Sequence, residues 1–321
     1  MILDGHNDLV ARIWRGEEPR HVHLERAAEA DFAGGFFALF VPSPGLEAPT
    51  TPHYSLPLPE PVPRDAAAQA ANELYDVFRS LPVALATTAD DFQPGRVSAI
   101  LHLEGAEPLA PDLSDLDDWY ARGLRSIGLV WSRPNAFAEG VPFRFPSSPD
   151  TGAGLTGAGR DLVRACNERG VLVDLSHLNE AGFWDVARLS TAPLVATHSN
   201  AHALCASSRN LTDAQLDVIG ASGGVVGINF AVSFLREDGG QVAETPLEEI
   251  VRHVEYVAGR IGIEHVAFGS DFDGALVPEA LGGIAGLPKI VDALRACGFD
   301  ADAVAKVTHR NWLRVLRDSW R

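Results

Sequence analysis

The sequence predicts a (β/α)8 barrel of the triosephosphate isomerase type, on three observations. Eight short apolar runs, rich in β-branched and aromatic residues, recur along the 321 residues. Longer helical patterns lie between most of them. His, Asp or Glu stands at the end of several runs, where a parallel barrel gathers its functional side chains on one face.

The eight strand candidates are Ile2–His6, Phe36–Val41, Val97–Leu103, Leu124–Val130, Val171–Leu175, Leu194–Thr197, Val225–Asn229 and Val266–Gly269. Their near-continuous apolar character suits strands buried on both faces. Among the helical patterns, Arg64–Leu81 is Ala-rich with spaced apolar positions, and Thr156–Arg169 stops before Gly170. Thr212 is placed to cap Asp213–Ala221, and Pro246 to open a helix through about Ile261. Alternation alone does not show closure, so a doubly wound open sheet is the competing architecture. No linker or internal repeat divides the chain, and residues 1–321 read as a single barrel domain.

One segment departs from the alternation. Residues 42–63 hold eight prolines and directly follow the second strand candidate. A long irregular stretch at that place in a barrel would lie over the strand C-termini. It is expected to be a lid or pocket wall; a solvated surface excursion is the alternative.

Composition narrows the function classes. The net charge of −17 argues against a nucleic-acid partner, whose phosphates call for clustered Lys and Arg. No apolar run approaches the roughly 20 residues that span a membrane. The N-terminus has no basic region before an apolar stretch, and the C-terminus has no lipid-anchor pattern. Cys166, Cys205 and Cys297 are odd in number and widely spaced, which favours a reducing compartment over a disulfide framework. The expectation is a cytoplasmic chain with no membrane association.

The chemistry is concentrated at strand ends. In Asp4-Gly5-His6-Asn7-Asp8, His6 and Asp8 are two apart, share a strand face and can hold one metal. Glu104 ends the run Ser98–Leu103, where a carboxylate is costly unless it is paired or metal-bound. Asp174 to His177, Thr197 to Asn200 and Ser270 to Asp273 close three further runs. Five such ends converging on one barrel face are what a binuclear metal site requires. Imidazole and carboxylate without thiolate suit Zn2+, with other divalent transition metals as alternatives. The only lysines are Lys289 and Lys306, so no mid-barrel strand can supply a carbamylated lysine between two cations. Glu104 is the natural bridge.

With these motifs, and with Ser208-Arg209-Asn210, the sequence resembles the membrane (renal) dipeptidase family of the amidohydrolase superfamily over nearly its whole length. The resemblance implies the barrel, two zinc ions per chain and a dipeptide substrate whose amide bond is cleaved by a metal-bridging hydroxide. It implies that His6 and Asp8 bind one zinc, that His177 and His198 bind the other, and that Glu104 bridges them. It makes Asp271 the general acid/base and Arg209 the clamp on the substrate carboxylate. Family members accept D or L residues at the C-terminal position and are often homodimers. Many carry a histidine after the fourth strand; this chain has Trp131 there, and Trp131, Arg133 and Asn135 become candidate substrate contacts. His102, Asp174 and Asp273 are expected to support the site or the core, and His202 to pack at the pocket edge or elsewhere. The alternatives are another amidohydrolase reaction, such as N-acyl amino acid deacylation, and a non-catalytic metal-binding barrel.

Overall fold

A computed structural model describes residues 1–43 and 53–320. Eight parallel strands form the barrel wall: β1 (Ile2–Asn7), β2 (Phe32–Phe40), β3 (Ser98–Glu104), β4 (Leu124–Gly128), β5 (Leu172–Asp174), β6 (Val195–Ala196), β7 (Val225–Ile228) and β8 (Val266–Phe268). Each pairs with the next in chain order. The circuit returns through the residues beyond β8. Phe272 bridges Asn7 in parallel, the Asp8 N–H donates to the Phe272 carbonyl at 2.8 Å, and the Asp271 N–H donates to the His6 carbonyl at 3.1 Å. A doubly wound sheet would leave its first and last strands apart, so these contacts decide for a nearly closed barrel.

All eight strands fall on the apolar runs. The second begins four residues earlier than its apolar pattern, because Gly34 and Gly35 carry no side chain to mark it. Their φ values are 110° and 152°. A Cβ at Gly34 would lie 1.8 Å from the Ser98 carbonyl oxygen, and one at Gly35 1.9 Å from that of Asp4. The backbones of β1, β2 and β3 can approach this closely only across glycine.

The helices follow their signals. The Thr156 hydroxyl accepts from the Gly159 N–H at 3.0 Å and starts Gly157–Arg169. Thr212 and Gln215 form a capping box on Asp213–Ala221. Helix Glu248–Ile261 begins two residues after Pro246, and Arg64–Ser80 ends one residue short of its expected limit. No described helix is long and apolar enough to cross a membrane.

The helix Asn311–Ser319, which the strand pattern did not announce, closes the end of the barrel where the strands begin. Trp312 is fully buried with Leu3, Phe36, Ile100, Leu172, Val195 and Val225. Most of these residues stand at or near their strand starts. The Trp312 indole N–H donates to the Phe268 carbonyl at 3.0 Å, and its ring packs 5.0 Å from that of Phe36. Trp312→Ala should cost about 3–5 kcal/mol of stability, the usual cost of truncating a large buried aromatic. Urea unfolding measures this, and a loss below about 1 kcal/mol, the scale of an ordinary point substitution, would show that the plug contributes little.

Candidate metal centre

The site is built at the opposite end, from the C-terminal ends of five strands. β1 delivers His6 and, one step past the strand, Asp8. Below them Asp4 accepts from the Ser270 N–H and hydroxyl, each at 2.7 Å, and ties β1 to the turn after β8. Glu104 is the last residue of β3. His177 follows β5 by three residues in a left-handed conformation, φ 68°. His198 follows β6, and Asp271 follows β8 at φ 60°.

The Glu104 carboxylate lies between two groups of donors. Its Oε2 is 3.5 Å from His6 Nε2, which is itself 3.5 Å from Asp8 Oδ2. Its Oε1 is 3.2 Å from His177 Nε2 and 3.6 Å from His198 Nε2. Those two ring nitrogens face each other at 3.1 Å. Asp271 joins His6 and Asp8 as a third potential ligand on one side. His6 and His198 are fully buried, and Glu104 is 4% exposed.

These residues fit bound metal. Among the described residues, both His6 ring nitrogens and Asp8 Oδ1 are buried without a hydrogen-bond partner, a costly state that a cation would relieve. Burial pushes the Glu104 carboxyl up to about 7; His6 opposes that rise, and Asp8 and Asp271 add to it. Burial works against charge on His6, yet Glu104 and Asp8 outweigh it and hold His6 well above its ordinary value. Burial holds His177 and His198 well below theirs, with the charges of Arg209 and His6 acting the same way. Neutral imidazole is the form that ligates a metal.

A cavity of about 320 Å³ opens above this cluster, with Asp8, Glu104, His177 and Asp271 in its lining. That is near the lower limit, roughly 300 Å³, of typical small-ligand pockets. Phe40, Tyr54, Trp131, Phe143 and Phe234 form an aromatic wall, and Arg15 stands in the same lining. Trp131 packs 4.9 Å from Phe40, 5.5 Å from Phe143 and 5.7 Å from His177, ring to ring.

The membrane dipeptidase family model (Peptidase family M19) matches residues 1–319. The chain belongs to this family. A metallopeptidase from Rhodobacter sphaeroides, solved with a phosphinate mimic of the dipeptide L-Ala-D-Ala, is 46% identical; the match covers 99% of each chain, with a TM-score of 0.95. A second solved structure, a dipeptidase of the same metallopeptidase family, is 47% identical, covering 99% of this chain and 98% of that one, with a TM-score of 0.94. The dipeptidase tcpJ of Claviceps purpurea is 30% identical over 93% of this chain and 69% of its own length.

Within this member of the dipeptidase family the remaining expected residues divide. Trp131 lines the cavity. Asn135 does not reach it, which corrects the expectation of a substrate contact. Its amide donates to the Leu129 carbonyl at 2.8 Å and accepts from the Phe137 and Ala138 N–H groups, so its polar capacity closes its own loop. Arg133 is fully buried, beside Glu107 at 2.9 Å and donating to the Val41 carbonyl at 2.6 Å. Arg209 is 4% exposed. It is not among the residues lining the cavity. It donates to the His198 carbonyl at 3.1 Å and the Ser199 hydroxyl at 3.3 Å, while its Nε has no partner among the described residues. Phe234, which lines the cavity, lies 5.5 Å from the Arg209 guanidinium carbon. His202 bonds to the Ser147 carbonyl instead of entering the pocket. Residues 44–52 of the proline-rich segment lie outside the described residues. Beyond them, Tyr54–Ser55 pairs with Arg144–Phe145, and Tyr54 and Leu56 form part of the cavity wall.

Three residues escaped the sequence reading. Asn229 donates to Asp271 Oδ2 at 2.8 Å. Ser132 Oγ lies 2.8 Å from His177 Nδ1, and Thr197 Oγ1 lies 2.8 Å from His198 Nδ1. Asn229 and Thr197 stand at strand ends, the same signal that marked the others, but amides and hydroxyls were not counted as site chemistry. Glu104→Ala should leave a folded chain with less bound metal than the parent. Elemental analysis checks this, and a variant with the parent's metal content would remove Glu104 from the centre.

Proposed function

We propose that this chain is a two-zinc dipeptidase, with His6 and Asp8 on one ion, His177 and His198 on the other, and Glu104 shared. The observation that carries this reading is the Glu104 carboxylate, whose two oxygens face different donor groups. The all-nitrogen-and-oxygen donor set favours zinc. The dipeptide mimic held by the Rhodobacter relative supports a dipeptide substrate, including one with a D residue at its C-terminal position. A cavity of about 320 Å³ suits a dipeptide better than a longer chain. Cys166 and Cys205 are buried and free and Cys297 is exposed and free, which supports a reducing, cytoplasmic setting.

When bound, the metal pair would acidify a water and polarise the scissile carbonyl. The chain's own groups supply the rest. Asn229 holds Asp271 Oδ2. Burial raises the Asp271 pKa, His6 opposes the rise, and Asp8 reinforces it. A carboxylate so raised can take the water's proton and return it to the amine as the C–N bond breaks. Among the described residues Arg209 has no carboxylate within ion-pairing distance, and its unpaired Nε, beside Phe234 of the cavity wall, suits a substrate carboxylate. The aromatic walls reduce competing water.

Turnover of a stereochemically complete dipeptide panel, run beside N-acyl amino acids and with added Zn2+, tests the reading. Dipeptides should be the preferred substrates; N-acyl amino acids turned over in their place would move the activity elsewhere among amidohydrolase reactions. Asp271→Asn should lower kcat by roughly 10²–10⁴-fold, the usual contribution of a positioned acid/base, with metal content kept. Metal lost along with rate would make Asp271 a ligand. Arg209→Met should lower kcat/KM for free-acid dipeptides by the equivalent of about 2–5 kcal/mol. Dipeptide amides should barely change, and equal losses for both substrates would make Arg209 structural.

A further inference from the structure

Behind the metal centre lies a short chain of hydrogen bonds with a fixed direction. Thr197 Oγ1 is 2.6 Å from Asp174 Oδ2 and 2.8 Å from His198 Nδ1. Asp174 Oδ1 already accepts the Thr197 N–H at 2.8 Å and the Ser176 N–H at 3.0 Å. All three side chains are buried, Asp174 being 1% exposed and the others fully enclosed. His102 Nε2 approaches Asp174 Oδ2 only to 3.8 Å, beyond hydrogen-bonding distance. The carboxylate therefore depends on Thr197 to satisfy Oδ2.

A hydroxyl has one proton, and an ionised carboxylate only accepts. The Thr197 proton is directed to Asp174, leaving Oγ1 a lone pair toward His198. Nδ1 must then be the N–H donor. Neutral imidazole with its proton on Nδ1 carries its lone pair on Nε2, the atom that faces Glu104 and His177. By contrast, His6 Nδ1 has no hydrogen-bond partner among the described residues.

We propose that Asp174 and Thr197 are positioning residues that lock the tautomer and ring plane of His198 as a metal ligand. The assignment rests on the two-zinc reading. A hydroxyl interposed between carboxylate and imidazole does here what a directly bonded carboxylate does behind many ligating histidines.

The test uses the full chain reconstituted with zinc and, separately, with Co2+. Zinc dissociation is read by chelator competition and ligand geometry by the visible Co2+ spectrum. Thr197→Val keeps the shape and removes the hydroxyl. It should weaken the more labile zinc by about 10–100-fold, the range for loss of an outer-sphere partner, and shift the Co2+ bands. Thr197→Ser should restore both. Asp174→Asn keeps the acceptor for the two backbone N–H groups and presents an amide N–H at the Oδ2 position. That N–H would turn the hydroxyl proton toward His198 and favour the wrong tautomer, so the loss should at least equal that of Thr197→Val. In the Thr197→Val background Asp174→Asn should then add little. Parent-like affinity and spectrum in Thr197→Val would overturn the proposal. So would equal losses in the Ser and Val variants, or full additivity in the double variant. If Thr197→Val does not fold, Asp174→Asn decides by the same two readouts. A parent chain that binds one zinc would remove the two-metal reading and leave the relay testable at that ion; a chain that binds none overturns both.

Discussion

The structure depends on a buried excess of negative charge at the barrel mouth. Asp8, Glu104 and Asp271 stand together around His6. Burying carboxylates without full compensation costs several kcal/mol each. No protein donor other than imidazole lies within hydrogen-bonding or ion-pairing distance of the Glu104 carboxylate among the described residues. Bound metal would resolve this deficit, and the barrel is the scaffold that places the ends of β1, β3, β5, β6 and β8 together. Closure through Asn7 and Phe272 is thus part of the site, because it sets His6 and Asp8 beside Asp271.

The turns at the mouth carry the local strain. Ser132, His177, Asp271 and Asp273 all have positive φ, from 41° to 68°. Such conformations cost of order 1–3 kcal/mol for residues other than glycine and persist where the surroundings over-determine them. Those surroundings can be named. Asp273 accepts the N–H groups of Arg20, His21 and Val22 at 2.7, 3.0 and 3.1 Å. Asn229 holds Asp271, and Ser132 meets His177.

The barrel was legible because parallel strands buried on both faces are written as continuous apolar runs. The weak point was Gly34-Gly35, where close backbone approach removes the apolar signal. The five proposed ligands and Asp271 were legible as charged or imidazole groups ending apolar runs. The supporting groups were not, since Thr197, Ser132 and Asn229 are ordinary residues whose role exists only once β5, β6, β7 and the loop after β4 are side by side. Asn135 and Arg133 misled for the converse reason. They follow a strand end, but the chain doubles back there and consumes their hydrogen bonds on Leu129, Val41 and Glu107. Trp312 was invisible as a plug because an amphipathic C-terminal helix does not say which end of a barrel it will cover.

The acidity of the chain and the carboxylate that a dipeptide carries are reconciled at short range. The net charge of −17 is screened beyond about 8 Å at physiological salt, so only groups near the cavity decide binding. There, Asp8, Glu104 and Asp271 gather three carboxyl groups, and Arg15 stands in the same lining. Bound divalent metal would offset the carboxylates. Arg209 reinforces the positive side from a buried position, where burial lowers its pKa while Asp271 and Glu104 support its charge. Without bound metal that cluster would face the substrate's carboxylate, opposed by Arg15 in the lining and by Arg209 beside Phe234 of the cavity wall. Under the proposed reading, metal binding and substrate affinity are coupled through these few short-range charges, and acidic groups beyond the screening length matter little.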